Sequence, residues 1–500
     1  MRGNAASRRA CPAPILLLAL VAAVGCAPTT VRLAPAQLPA KSGDGPGYRF
    51  QNLAGGRDAA TFQDQNRFFV CLTFSGGGTR AAALAYGAMI ALHQARIDWP
   101  HPGATLLDEV DCISSVSGGS FTAAYYGLFR DELFTSFADR FLYRDIQGRL
   151  VLRALAPWNW VRLLSPYFSR IDIAAELYDA RIFARKRYAD LVAAGRRPYV
   201  ILNATNIARG TRFPFTQDQF DLIGSDLGPV AVARGVAASS AFPFLLSPLT
   251  LENHQPLEGF QPPSDYRLGL RDYYANRSRY YWAQSQLDYV DDPHPYVHLM
   301  DGGLADNIGL RSIINAYEQS NGFISRDLGR IERLAIIAVN ARTKSKDTIS
   351  DHRRTPHIVP SVALATATTG MDNYSFDTVD LASRLAADLR QAQLAGGRFH
   401  APVPYVAEIS FEAIPDRRVR DAFYAIGTSF HLPAAQVRAL IHMGCELVKN
   451  DPTVRCLLAD VERAAAGRGP TPSACEEDTD AHPRAAEDIA CPDAGGWPPS

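Results

Sequence analysis

The sequence has no surplus of either charge: 51 lysines and arginines stand against 51 aspartates and glutamates in 500 residues. Without a basic excess there is no electrostatic footprint for nucleic acid. No Cys-x-x-Cys, no His-Glu-x-x-His and no clustered His/Asp spacing occurs, so nothing argues for a metal site. The chain also lacks the G-x-x-x-x-G-K-[ST] phosphate loop and a G-x-G-x-x-G with its later acid, which sets aside nucleotide binding. Internal repeats are missing. The leading apolar run, Pro14 to Val24, falls well short of the roughly 20 residues a membrane span needs.

That short run has another reading. Arg2, Arg8 and Arg9 precede it and Ala23-Val24-Gly25-Cys26 follows, which together read as a signal peptide over residues 1–25. The segment resembles a bacterial lipoprotein signal, in which Cys26 becomes the lipidated first residue; Ala27 then implies the outer membrane. Ordinary cleavage near Gly25, giving a periplasmic or secreted protein, is the alternative. Residues 26–66, rich in Pro, Gly, Ala and Thr, read as a tether with irregular backbone. A main domain is expected over 67–460, and 461–500, rich in Pro, Gly, Ala and acid, reads as a disordered tail.

Three stretches carry chemistry. Asp111 to Val116 reads as a buried parallel strand and Phe121 to Leu128 as a helix, with Ser117-Gly118-Gly119 between them. Strand, tight turn and helix make a nucleophile elbow, and Ser117 is preferred over Ser114, Ser115 and Ser120 because it alone stands at the turn. Upstream, the strand Arg67 to Phe74 runs into Ser75-Gly76-Gly77-Gly78-Thr79-Arg80 before an apolar helix, Ala81 to Gln94. Successive glycines let several N–H groups point at one place, as an oxyanion hole requires, and Arg80 can add a fixed positive charge. Downstream, the strand Tyr296 to Met300 ends in Asp301-Gly302-Gly303, delivering a carboxylate able to deprotonate a serine. Each stretch taken singly is also ordinary turn chemistry.

In this order, Gly76-Gly77-Gly78-Thr79-Arg80, S-V-S-G-G around Ser117, V-A-A-S-S-A-F-P from Val236, and Asp301-Gly302-Gly303 resemble the signature of the patatin-like phospholipase superfamily. The G-G-G-x-R-A loop is closer to the cytosolic phospholipase A2 branch. The resemblance implies an α/β fold, three-layer α/β/α with a mostly parallel central sheet. It implies a carboxylic ester hydrolase acting on phospholipid or other acyl lipids, whose dyad itself requires no cofactor, and the lipid anchor on Cys26 would hold it at a membrane surface. Ser117 would be the nucleophile, Asp301 the general base, and Gly76, Gly77 and Gly78 the oxyanion hole, with Arg80 beside them. Ser115 replaces the first glycine of the usual G-x-S-x-G, and Ser75 stands where many members have aspartate.

Two other readings stay open. A Ser-His-Asp esterase would draw on His352, His357, His400, His431 or His442, and a non-catalytic lipid-binding lipoprotein would keep the fold alone. Val151 to Phe168 is unusually apolar, and its Trp158, Trp160, Leu163, Leu164, Tyr167 and Phe168 form either an interface-seeking flap or ordinary core. Of eight cysteines, Cys445 with Cys456 and Cys475 with Cys491 are the nearest pairings, three connectivities being allowed. Cys71 and Cys112 are expected as small buried side chains on neighbouring strands.

Overall fold

The computed structural model describes residues 45–53, 67–100, 102–243, 245–255, 260–320, 322–344, 360–394, 401–467 and 483–497, with the main chain alone for 360–374 and 394. The expected signal peptide, Cys26, most of the linker, Cys475 and His352, His357 and His400 lie outside the described residues.

β1 (Phe68–Phe74) leads through the glycines into α1 (Gly78–Gln94), and β2 (Val110–Val116) leads through Ser117 into α2 (Gly118–Phe129). Then come α3 (Ile146–Ala154), α4 (Pro157–Leu163), α5 (Arg170–Arg181), β3 (Tyr199–Asn206), β4 (Thr211–Pro214), α6 (Val232–Ser239), β5 (Leu249–Glu252) and β6 (Tyr296–Asp301). α7 (Leu310–Glu318), β7 (Arg333–Asn340), α8 (Pro360–Leu394), β8 (Val403–Ser410), α9 (Ala434–Asn450) and α10 (Pro452–Ala465) complete the principal elements.

The strands form one sheet in the order β8-β7-β1-β2-β3-β6-β5, with β4 paired to β3 off that path. Pairing is parallel from β8 to β3 and antiparallel where β3 meets β4 and β6 and where β6 meets β5. β1, β2, β3 and β7 are buried at every position, because helices cover both faces of the parallel part. The fold is therefore the mostly parallel α/β/α arrangement that the resemblance implies. α9 lies against α1 so closely that a Cβ on Gly87 would stand 2.0 Å from the Ile441 carbonyl oxygen, and one on Gly444 2.2 Å from that of Leu84.

Sequence periodicity merged some elements. Ile171 to Val192, whose residue pattern alone reads as one helix, is α5 and a second helix at Tyr188–Ala194, separated by Ala184 and Arg185 in left-handed backbone. Asp131 to Arg149 divides into a π-helical stretch, Leu133–Leu142, and α3.

The chain's two ends depart further from expectation. Within the presumed tether, Tyr48 is fully buried, donates its hydroxyl to the Val200 carbonyl (3.0 Å) and accepts the Val200 N–H (2.8 Å). Beside it the buried Arg49 pairs with Asp218 and Asp221. Within the presumed tail, Ala485, Ala486 and Ile489 are buried, and Trp497 meets Phe423 edge-on. Cys491 is bonded to Cys445, one of the three connectivities the spacing allowed rather than the nearest, and Cys456 is also disulfide-bonded. Cys71 and Cys112 are not separate thiols but a disulfide, because the β1–β2 register sets them directly opposite, 4.7 Å apart at Cα. It joins the strand that carries the glycines to the strand that carries Ser117.

Candidate active site

Ser117 follows the last residue of β2 and is the N-cap of α2, with φ 50° and ψ −120°. A non-glycine residue in that region is strained by about 1–3 kcal/mol and persists only where its surroundings impose it. They do so here through neighbours with no room for a side chain. A Cβ on Gly118 would stand 2.0 Å from the Gly78 carbonyl oxygen, and one on Gly119 2.6 Å from the Phe74 Cβ. The elbow and the glycine loop are thus in backbone contact.

The serine's N–H is taken by Ser239 Oγ (2.9 Å), whose own hydroxyl donates to the Asn203 carbonyl (2.6 Å). The same short segment after α6 holds the acid. The Ala241 carbonyl accepts the Asp301 N–H (3.0 Å), and the Ser239 carbonyl accepts the Gly302 N–H (3.1 Å). Sheet register completes the convergence, since Val116 pairs with Asn203 and Ala204 pairs with Asp301 across β3. Residues 184 positions apart in sequence numbering, 117 and 301, therefore end one strand from each other.

Asp301 is 1% exposed, and its Oδ1 accepts the Gly303 N–H at 2.8 Å. Oδ2 is buried and makes no well-formed hydrogen bond among the described residues. Burial lifts the carboxyl to about 7, while the Gly303 N–H and the nearby Ser117 hydroxyl pull it down. No arginine, lysine or histidine figures among the influences on it. A buried carboxylate without a counter-charge is a stronger base than one in water.

The three glycines divide in role. The Gly76 N–H is committed to the Asn307 carbonyl (2.9 Å), whereas those of Gly77 and Gly78 make no hydrogen bond among the described residues. Gly77 (φ 140°) and Gly78 (φ 60°) both use backbone open to glycine. Arg80 is buried and its guanidinium is bonded to main-chain carbonyls, Nε to Ala341 (2.9 Å) and Nη1 to Ile426 (2.6 Å). It sits behind Gly77 and braces the loop. Sequence reasoning also gave no role to Asn307, whose Oδ1 is buried without a hydrogen-bond partner among the described residues and lies 2.5 Å from where a Gly76 Cβ would be. Its place six residues after Asp301 was the only available signal.

The described histidines bond elsewhere. His442 Nδ1 contacts the Pro492 carbonyl (2.7 Å), His298 Nδ1 pairs with Thr250 Oγ1 (2.9 Å), and His431 is an exposed neighbour of Asp145. Among the described residues no group of three or more His, Cys, Asp or Glu side chains could hold a metal ion.

Fold and site together define an α/β/α protein with a serine elbow, a glycine loop and a buried acid at one end of its sheet. Residues 72–314, just under half of the chain, match the family described as Patatin-like phospholipase. No curated protein matches the chain. Among solved structures it is similar to human GIVD cytosolic phospholipase A2, at 15% identity and a TM-score of 0.33 over 57% of this chain. The match spans 47% of that protein, just under half its length.

Proposed function

We propose that this protein is a serine acyl hydrolase that cleaves carboxylic esters of lipids, of the phospholipase A or lysophospholipase type. The observation that carries the reading is the pairing of a strained, 7% exposed Ser117 with an Asp301 whose burial raises its basicity to near neutrality. Ser117 Oγ attacks the ester carbonyl carbon as its proton passes to Asp301 Oδ2. The tetrahedral oxyanion meets the free N–H groups of Gly77 and Gly78, with the α2 N-terminus behind them. Collapse expels the alcohol, which takes the proton from Asp301. Water, deprotonated by the same carboxylate, then attacks the acyl-serine and frees the fatty acid.

The site carries its own base, and no step requires a histidine or a metal. Export and an acyl anchor on Cys26, placing the enzyme at the outer membrane, belong to the same proposal and rest on the leader sequence.

Ser117→Ala and Asp301→Asn are each expected to lower turnover by several orders of magnitude with circular dichroism unchanged, while Ser120→Ala retains activity. The assay is mass spectrometry of products from a mixed phospholipid and triglyceride panel. Near-normal turnover in either variant refutes the assignment; no product from any ester with the unaltered chain favours a lipid-binding protein on this fold.

A further inference from the structure

Eight large apolar side chains that the fold leaves exposed lie between Tyr143 and Tyr167, on and around α3 and α4. Leu152 is 70% exposed, Trp158 69%, Trp160 57% and Leu164 74%; Phe168, by contrast, is buried. So many exposed large apolar side chains within one short stretch mark a contact surface rather than incidental exposure.

The surface is built, not loose. Pro157 starts α4, and Asn159 Nδ2 donates to the Arg153 carbonyl at 2.8 Å, tying α4 back to the end of α3. Trp160 Nε1 donates to the Ala154 carbonyl at 3.1 Å, so its one polar atom is satisfied within the protein while the indole remains outside. Arg162 is ion-paired with Glu176 and lies over the Phe168 ring at 3.8 Å, fixing the other end of α4.

Charge and position say what covers it. From Arg144 to Arg170 the chain carries five arginines and a single acid, Asp145, although the whole protein is neutral. The surface also borders the candidate site. An open groove of about 750 Å³ runs along Tyr143 to Leu152 to Ser429 and His431. The Ser429 carbonyl accepts the Thr79 N–H (2.8 Å) and lies directly against Gly78 of the glycine loop.

We propose that the arginine-edged apolar surface of α3 and α4, formed by Val151, Leu152, Leu155, Trp158, Trp160 and Leu164, docks on a bilayer containing anionic phospholipid. Tryptophan settles at headgroup depth, leucine and valine enter the acyl boundary, and arginines meet lipid phosphates. The choice of a lipid occupant rests on reading the Ser117 site as a lipid ester hydrolase; docking itself does not depend on turnover.

The test uses the full chain with Cys26→Ser, which removes any acyl anchor there, and Ser117→Ala, which removes hydrolysis. Co-sedimentation with phosphatidylcholine vesicles containing phosphatidylglycerol is compared with that of Trp158→Ala/Trp160→Ala/Leu164→Ala in the same background. The triple variant is expected to partition at least about tenfold more weakly, with a smaller blue shift of tryptophan emission. On the Ser117-intact chain it should hydrolyse a soluble short-chain ester at the unaltered rate, which shows that the fold is kept. Equal partition of the two proteins overturns the proposal. So does self-association that the triple substitution abolishes without any vesicle uptake, since the occupant is then a second copy. Vesicle binding without hydrolysis of any ester supports the docking surface and removes the hydrolase reading alone.

Discussion

Two buried acids bracket the strand that leads to Ser117, and they differ in what surrounds them. Asp111 accepts the Val70 N–H (2.9 Å) and pairs with Arg197, so burial raises its carboxyl only to about 6. Asp301 has no cation among the groups that act on it, its Oδ2 makes no well-formed hydrogen bond among the described residues, and it rises to about 7. The folded Asp301 thus holds a proton that the unfolded chain releases near pH 4. The native state therefore loses stability as pH climbs from about 4 to 7, and the penalty stays in full above 7. Asp301→Asn removes that titration and keeps an oxygen for Gly303. By calorimetry it should outlast the unaltered protein at pH 8, by on the order of a few kcal/mol, and the gap should close toward pH 4. An equal gap at both pH values would show that the carboxyl titrates normally. On the proposed mechanism the same ionisation should make kcat/KM rise through about pH 7 as the base becomes competent.

At the scale of elements, the site depends on two turns fitted into each other, and a single methyl group probes the fit. Gly118→Ala places a Cβ 2.0 Å from the Gly78 carbonyl oxygen, where only main chain is available to move. The glycine loop must retreat from the elbow, and Gly77 and Gly78 no longer aim at the oxyanion. The expected loss is about a hundredfold or more in kcat, comparable to deleting an oxyanion donor, with KM little changed. Unaltered kcat would mean that the loop does not serve the reaction. The turns themselves were legible in the sequence, because Ser117, Gly76 to Gly78 and Asp301 follow compact apolar runs and glycine advertises tight backbone. Their supports were not. Ser239 bridges the elbow and the acid through one hydroxyl and one carbonyl, and Arg80 acts on carbonyls at Ala341 and Ile426. Such contacts depend on which loops meet, and periodicity holds no record of that. The Cys71–Cys112 bond was hidden for the same reason: it follows from a register, including an irregularity between Val70 and Cys71, that strand composition does not encode.

Across the whole molecule, composition gave no sign of the anchors that lie toward both ends of the domain. Pro, Gly, Ala and acid around residues 26–66 and 461–500 suggested solvated chain, yet single apolar or charged residues within them dock: Tyr48 and Arg49 beside β3, Ile489 and Trp497 near α9 and Phe423. An average over forty residues dilutes such anchors. The C-terminal one reaches the candidate site through packed helices, since Cys491 is bonded to Cys445 on α9, and α9 interlocks with α1, whose first residue is Gly78. Removing the bond with Cys445→Ala/Cys491→Ala frees a 46-residue separation in the unfolded chain and loosens the clamp on α9. A loss of about 2–4 kcal/mol in denaturant titration follows from loop closure alone. Turnover well below the transition should persist, because α1 and α9 still meet at Gly87 and Gly444 without it. If stability is unchanged, the docked segment is a passenger on a domain complete without it. If turnover falls at temperatures where the fold is intact, the clamp extends to the glycine loop and holds the oxyanion donors in place.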